Sequence, residues 1–402
     1  MANVSSSNGL EKRPRLAFRN IDGSRFPCWR QTSLGCIIEP YSEKVYGEHD
    51  YEVLTSAREG LQRQVDHFGS KQRHDTDGYN IIPFGYCTYR NRSDDGKFAF
   101  NINTISEKAI VSKFYPVFRF TNANSTFMAE FLNSSPRVKR KLSVLAVGTS
   151  QVVLSFEALK AAKFDLPCKD EQDKIAAFFE CLNTRIENQR TLVAALKKYK
   201  RGLLNKFFSQ NKSESSTMVY LSEVADFLQG LTYDPSDVDD SGCLVLRSSN
   251  IQHGMLSFDD CVFVSKKIPD SLQVKRDDVI MCVRNGSKSL VGKTALIPND
   301  MPLTTWGAFM MIIRSNLNDT YVFQYLNSQM FFSQVFRDAA TATINQITKG
   351  TLNECKLPMP PEKERKRIST ILDNFDAEIH NAERFAELLT ALRKGLMQQL
   401  FI

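Results

Sequence analysis

At 402 residues, with 42% hydrophobic and 24% charged side chains, the chain is too long for one ordinary domain and too apolar to be disordered. No apolar run approaches the roughly 20 residues needed to cross a bilayer, and Met1 to Gly9 lacks the apolar core of a signal peptide, so a cytoplasmic protein with no membrane partner is expected. The net charge of +7 suits a polyanionic partner without identifying one, and the nine cysteines stand singly, with no Cys-x-x-Cys pair and no histidine cluster beside them, which argues against zinc and against a disulfide framework.

In chain order, a polar tail (residues 1–12) precedes a globular segment (13–165), a long amphipathic stretch (166–208), a short linker (209–217), a second globular segment (218–356) and a second long stretch (357–402). The two long stretches are copies of one another. A constant offset carries Glu171 to Phe208 onto Glu364 to Phe401 without a gap, matching Ile175 with Ile368, Ile186 with Ile379, Leu196 with Leu389, Gly202 with Gly395 and Phe208 with Phe401. In the first, Ile175, Phe179, Leu182, Ile186, Val193, Leu196 and Leu203 recur in steps of four and three. In the second, Ile368, Leu372, Phe375, Ile379, Ala382, Ala386, Leu389, Leu396 and Leu400 do the same. A period of about 3.5 keeps one seam facing a partner helix, so both stretches are expected to be helices of a supercoiled pair. Leu-Pro before each copy ends the preceding strand or loop and starts the helix. Core helices of two separate domains and a homodimerising zipper are the competing readings. Persistence over about five heptads opposes the first, and two matching copies tethered in one chain oppose the second.

Leu-Pro followed by Glu171-Gln172, Ile175 and a helix closing on Lys200-Arg201-Gly202-Leu203-Leu204 resembles the helical regions of Type I restriction–modification specificity subunits. Glu364, Ile368, Asp376, Ile379 and Arg393-Lys394-Gly395-Leu396 repeat the pattern, with Arg365 where that family usually has Gln. Tyr51 to Gly69, Asp77 to Ser93 and Ala109 to Phe120 look like one class of target-recognition domain. Val245 to Asp260, Val274 to Ile297 and Thr343 to Leu352 look like another. The resemblance implies an α/β (α+β) fold of two target-recognition domains joined by two long antiparallel coiled-coil helices, a pseudo-two-fold internal repeat. It implies double-stranded DNA as partner, each head reading half of an asymmetric bipartite site while the helices set the spacer. It also implies two adenine-methyltransferase (modification) subunits, which would bring S-adenosylmethionine, and a restriction or motor subunit. The chain itself would hold no cofactor and no metal, and would catalyse nothing.

Base reading calls for Arg or Lys at guanine, Asn or Gln at adenine, and Ser or Thr at either. In the first head the candidates are Ser56, Arg58, Gln62, Arg63, Tyr89, Arg90, Asn91, Arg92, Thr149, Ser150 and Gln151. In the second they are Arg247, Ser248, Asn250, Arg284, Asn285, Ser287, Lys288, Lys293, Asn345, Gln346 and Lys349. Arg284 to Lys288 follows the apolar run Asp278 to Val283, as a polar loop emptying from a strand would. The cluster Lys197 to Arg201 is a phosphate-patch candidate, set against an ordinary solvated helix end. The surplus apolar residues at the helix ends, Leu203, Leu204, Phe207 and Phe208 with Leu396, Met397, Leu400 and Phe401, are candidates for docking the modification subunits.

No Asn-Pro-Pro-Tyr or Asp-Pro-Pro-Tyr tetrapeptide of an adenine methyltransferase is present, and the near-match to a phosphate-binding loop from Gly286 to Thr294 has one residue too many between its glycines. A coiled-coil assembly scaffold whose globular halves bind protein is the rival from another class. Salt-sensitive DNA binding separates the two.

Overall fold

The structure, a computed structural model, describes residues 14, 16–58, 60–69, 75–209, 217–337 and 346–401. The tail 1–12, nearly all of the expected linker 209–217, and Asn345 lie outside the described residues. The chain divides into two compact units, Met1–Asn188 with Ala386–Ile402, and Gln189–Phe385.

In the first unit, strand Arg30–Ser33 pairs antiparallel with Lys163–Leu166, the strand that runs into the central helix. A four-stranded sheet comes next, in the order Ile38–Tyr41, Val117–Phe120, Cys87–Tyr89, Phe100–Ile102. Its strand Val117–Phe120 faces two cores. Phe118 and Phe120 enter the main one, while Val117 joins Leu54, Ile82, Ala109 and Val111 in a smaller one. A second four-stranded sheet has the order Gly60–Arg63, Glu52–Ala57, Lys108–Val111, Asn80–Pro83, its middle pair parallel. Helices Ser125–Ser134 and Pro136–Leu145 cover the main core, their starts fixed by Asn124 and Ser135, whose side chains accept from Phe127 N–H and Val138 N–H, and by Pro136 at the first helical position.

The second unit repeats this plan. Thr217–Tyr220 pairs with Lys356–Met359, the strand before the C-terminal helix. The sheet Ala225–Gln229, Met310–Ser315, Val279–Cys282, Thr294–Leu296 matches the first unit's in strand order. A second sheet again has a parallel pair, Cys243–Leu246 with Thr304–Trp306. Sequence places the heads in different classes; the folded heads share the strand order of the first sheet. In the second sheet the parallel pair is central in the first unit and at one edge in the second, so the heads differ in that sheet as well as in their loops.

The long helices run from Lys169–Phe207 and Glu362–Leu400. The expected stretches begin earlier because Leu166 and Leu357 to Met359 are strand, and the prolines after them separate strand from helix. Each helix gives its first half to one unit and its second half to the other.

Within each unit the two halves run antiparallel. In the first, Leu182 and Ile186 pack with Leu389, and Phe179 lies 5.9 Å from Phe401, ring to ring. Arg393 closes the pair by donating to Asn183 Oδ1 and to Glu130 Oε1, both at 2.5 Å. In the second unit Lys200 donates to Asp376 at 2.5 Å, and Gln324 donates to Asp376 at 2.8 Å. Lys200 and Asp376 are the repeat equivalents of Arg393 and Asn183.

The apolar helix ends are core, which corrects their assignment as free docking surface. Phe401 (6% exposed) sits 5.9 and 5.6 Å from the rings of Phe127 and Phe131, with Met397 and Leu400 in the same cluster. Phe208 (2% exposed) sits 5.1 and 5.8 Å from Tyr321 and Tyr325, with Leu204 buried and Leu203 and Phe207 packed alongside. Leu396 is likewise half-buried. The surplus over one helix seam is used by the head's core.

Arg365 also finds its reason here. Gln172, its repeat equivalent, accepts from Asn124 N–H at 2.9 Å; Arg365 instead pairs with the buried Asp319 at 2.7 Å, in the turn before helix Tyr321–Leu326. Phe208→Ala and Phe401→Ala should each destabilise the protein by about 3–5 kcal/mol, read as a loss in thermal or denaturant unfolding; unchanged unfolding in both would place these rings outside the cores.

Candidate nucleic-acid interface

A cleft of about 480 Å³ opens in the first unit, and four sequence candidates line it: Ser56, Arg58, Arg90 and Arg92. His67, Phe68, Lys97 and Asp94 complete much of its wall, which makes it predominantly basic. The loops are brought there by pairing between segments distant in sequence. Strand Arg92–Ser93 pairs with Val152–Val153, so the Thr149 to Gln151 turn folds back toward Asp94, and Gln151 donates to Asp94 Oδ1 at 3.0 Å. That turn needs Gly148: its φ is 137°, and a Cβ there would lie 2.4 Å from Gln151 O.

Asp95 ties the loop together. It accepts from Ser93 Oγ at 2.9 Å and pairs with Arg58 at 2.8 Å. The Ser93 hydroxyl, with the Lys97 amide and the Arg58 guanidinium, holds its carboxyl down at about 2. Thr149, Ser150, Arg90 and Arg92 remain exposed. Gln62 and Arg63 sit on the neighbouring strand, Gln62 bonded to His67 at 2.8 Å and Arg63 paired with Glu52 at 2.6 Å.

Three first-head candidates are structural. Tyr89 is fully buried, its hydroxyl donating to Leu154 O at 3.0 Å, and burial pushes the phenol up. It cannot reach a base from the core of its sheet. Ser56 is 8% exposed and accepts from Asn101 at 2.9 Å. Asn91 is half-buried, its carbonyl accepting from Leu154 N–H.

In the second unit Ser248, Asn285, Arg284 and Gln346 come together: Asn285 donates to Ser248 Oγ at 3.3 Å, and Arg284 forms an antiparallel bridge with Gln346. Arg247 beside them pairs with Asp260 at 2.9 Å. Asn250 is buried and donates at 3.0 Å to both Ser257 O and Asp260 O; it builds this loop and is not open to a ligand, contrary to its expected role in base reading. Ser287 and Lys288 are exposed in the loop after Arg284, and Lys349 lies exposed on the helix that comes after Gln346. Lys293 is half-buried just before strand Thr294–Leu296. A strand, not a helix, succeeds the Gly292-Lys293-Thr294 near-match, which removes the structural basis of a phosphate-binding loop.

The phosphate-patch candidates on the central helix are partly committed: Lys197 pairs with Glu383 at 2.6 Å and Lys200 with Asp376. Sequence reasoning missed two groups. Phe114 and Phe309 are 53% and 59% exposed, each under an arginine at 5.4 Å. Along the helices Phe178, Leu192 and Tyr199, and Phe385, Leu388 and Leu392, stay at least a third exposed. Only these last carry a sequence signal, being apolar residues off the heptad seam.

Among the described residues no helix is long and apolar enough to cross a membrane. The model of the Type I restriction modification DNA specificity domain matches the chain twice, at residues 40–198 and 216–390. The Type I restriction enzyme EcoKI specificity subunit of Escherichia coli (strain K12) is 27% identical over 183 residues, 43% of this chain and 39% of that protein. The StySPI specificity subunit of Salmonella potsdam is 26% identical over 186 residues, 44% of this chain and 40% of that one. The matched stretch thus spans about two fifths of the length of these relatives. The solved S subunit of a Type-I restriction-modification system from M. genitalium aligns over 97% of this chain and 99% of its own, with a TM-score of 0.61 at 15% identity. A chain from a study of complex assembly and conformational transition in the type I R-M system aligns over 94% and 98%, with a TM-score of 0.57 at 18% identity. These two establish a shared fold, and the paired family matches, which take in well over half of the residues, establish membership: the chain belongs to the Type I restriction modification DNA specificity family.

Proposed function

We propose that this chain is the DNA-reading subunit of a Type I restriction–modification complex, each head reading one half of an asymmetric, bipartite duplex site. The observation that carries the reading is the repeated gathering of arginine-bearing polar loops on two heads whose first sheets share one strand order. Those loops differ in sequence, so the half-sites should differ too. Arg58, Arg90, Arg92, Thr149, Ser150 and Gln151 are the contact set in the first head; Arg247, Ser248, Arg284, Asn285, Ser287, Lys288, Gln346 and Lys349 are that of the second. Gln62, Arg63 and Lys293 stand at the margins of these sets.

The helix pair would set the spacer. A 39-residue helix is about 58 Å long at 1.5 Å per residue, enough to hold two readers one duplex turn, roughly 34 Å, apart. The exposed apolar helix residues, Leu192 and Tyr199 in the second unit and, separately, Leu388 and Leu392 in the first, replace the buried helix ends as the surfaces on which modification subunits would dock, one on each unit. Those subunits would carry S-adenosylmethionine and methylate adenine, and a motor subunit would cut; this chain supplies the address.

A map of N6-methyladenine in the host, with the gene intact and deleted, tests the reading. Loss of one split, asymmetric motif on deletion is the expected result; an unchanged map would favour a protein-binding scaffold. Inserting one heptad in each long helix adds about 10.5 Å, and should lengthen the spacer by roughly three base pairs at 3.4 Å each while leaving both half-sites as they were; an unaltered spacer removes the ruler role.

The Asp95 carboxyl, depressed in the folded state, stays charged below the ordinary aspartate range; its contribution to stability is full above that range and is lost as pH falls through about 2. Its titration by NMR should therefore show no step at about pH 4, the charge persisting down to about pH 2; a step near an ordinary aspartate value would mean that the Ser93 and Arg58 contacts do not form.

A further inference from the structure

We infer that Arg92 with Phe114, and Arg284 with Phe309, form equivalent reading elements, each arginine addressing a guanine in its own half-site. This rests on the DNA-reading role proposed above and sharpens it to one residue pair per head.

Backbone pairing shows the correspondence. Val117 pairs with Thr88 in the first head, and Met311 with Met281 in the second. Just beyond that strand, Arg92 pairs with Val153 while Leu154 N–H donates to Asn91 O. In the second head Arg284 bridges Gln346 while Ile347 N–H donates to Val283 O. The first head has one residue more between strand and bridge. The constant sequence offset therefore sets Asn91 opposite Arg284; only the hydrogen-bonded register identifies Arg92 as its counterpart.

The two arginines also share an environment. Each guanidinium lies 5.4 Å from the centre of an exposed phenylalanine ring, contributed by the segment that leads into the neighbouring strand. In the second head the backbone that carries that ring is tied to the arginine's own strand, since Val283 N–H and Arg284 N–H both donate to Phe309 O. Among the described residues neither guanidinium is held in an ion pair, whereas Arg58, Arg63 and Arg247 are bound to Asp95, Glu52 and Asp260. A guanidinium resting on a ring face is held in plane without using its N–H donors. Those donors stay open for a planar acceptor pair, and in the major groove the O6 and N7 of guanine are such a pair. The basic wall of the first head's cleft, Arg58, Arg90 and Lys97 around Arg92, supplies the charge that a duplex needs.

The phenylalanines are positioning residues, so their test reads more than affinity. The full chain with its modification subunits is used to select bound sequences from a pool of random 40-base-pair duplexes. Wild type should enrich a split motif with a guanine in each half. Phe114→Ala or Arg92→Lys should cut discrimination at that guanine at least ten-fold in one half only, and Phe309→Ala or Arg284→Lys in the other. Phe114→Tyr, which keeps a ring face, should restore it. Retention of both guanines in all four loss variants overturns the inference while leaving the DNA-reading role standing. Loss of both halves from a single variant, or failure of Phe114→Tyr to rescue, makes the rings structural and overturns it too. A wild-type protein that enriches no motif removes the DNA-reading role, and this inference falls with it.

Discussion

The interaction on which the rest of this structure depends is the burial of a helix end in a head that the same helix did not start from. Phe401 closes the core of the first unit and Phe208 that of the second, each against a pair of rings one helical turn apart, Phe127 and Phe131 or Tyr321 and Tyr325. Neither head therefore has a complete core without residues from the other repeat. Burying a phenylalanine and its neighbours Leu204, or Met397 and Leu400, is worth about 2–3 kcal/mol for each large side chain. That is enough to fix the antiparallel register, because a shift of one heptad along the helix would withdraw the whole set. The polar contacts refine that register. Lys200 with Asp376, and Arg393 with Asn183 and Glu130, occupy equivalent places and are partly withdrawn from water, so each selects one helical alignment by the cost of leaving a charge unpaired.

The helices were legible in the sequence to a degree that the heads were not, and periodicity is the reason. Five heptads give a signal that a 3.5-residue seam alone explains, and the duplication of Ile175, Ile186 and Phe208 provides it twice. The heads are built from strands of two to six residues, too short for alternation to be decisive, with their order set by long-range pairing. Strand Val117–Phe120 illustrates the difficulty: because both its faces are covered, Val117 and Phe118 are buried in succession and the period of two disappears.

The candidate site was legible by residue type and not by direction. In the run from Tyr89 to Ser93, strand pairing turns Tyr89 inward and leaves Arg90 and Arg92 exposed; composition cannot distinguish them. Asn250 has the chemistry of an adenine reader and is consumed by two backbone carbonyls of its own loop. The helix ends show the same ambiguity among apolar residues. A surplus over one seam is visible in sequence, but whether it faces a partner protein or the chain's own core depends on what packs above it. Phe114 and Phe309 were invisible for the converse reason, since a phenylalanine beside a strand is expected to be core and exposure is a tertiary fact.

Within each head, loop support and the proposed recognition share some residues, Arg58 and Arg247, and divide among the others. Those that hold the loops have their partners inside the protein: Asp95 with Ser93 and Arg58, Asp260 with Arg247, Asn250 with the carbonyls around it. Arg90, Arg92 and Arg284 stand on those loops with no carboxylate bound among the described residues, so the chemistry they present can change without disturbing what supports them. Surface ion pairs such as Arg58 with Asp95 add little to stability, ordinarily under about 1 kcal/mol. Their effect is to reduce the number of loop conformations that must be given up when a ligand binds. In the proposed reading, where stability resides in helix ends and sheet cores and recognition in braced loops, one head would acquire a new specificity without a change in the core of the other.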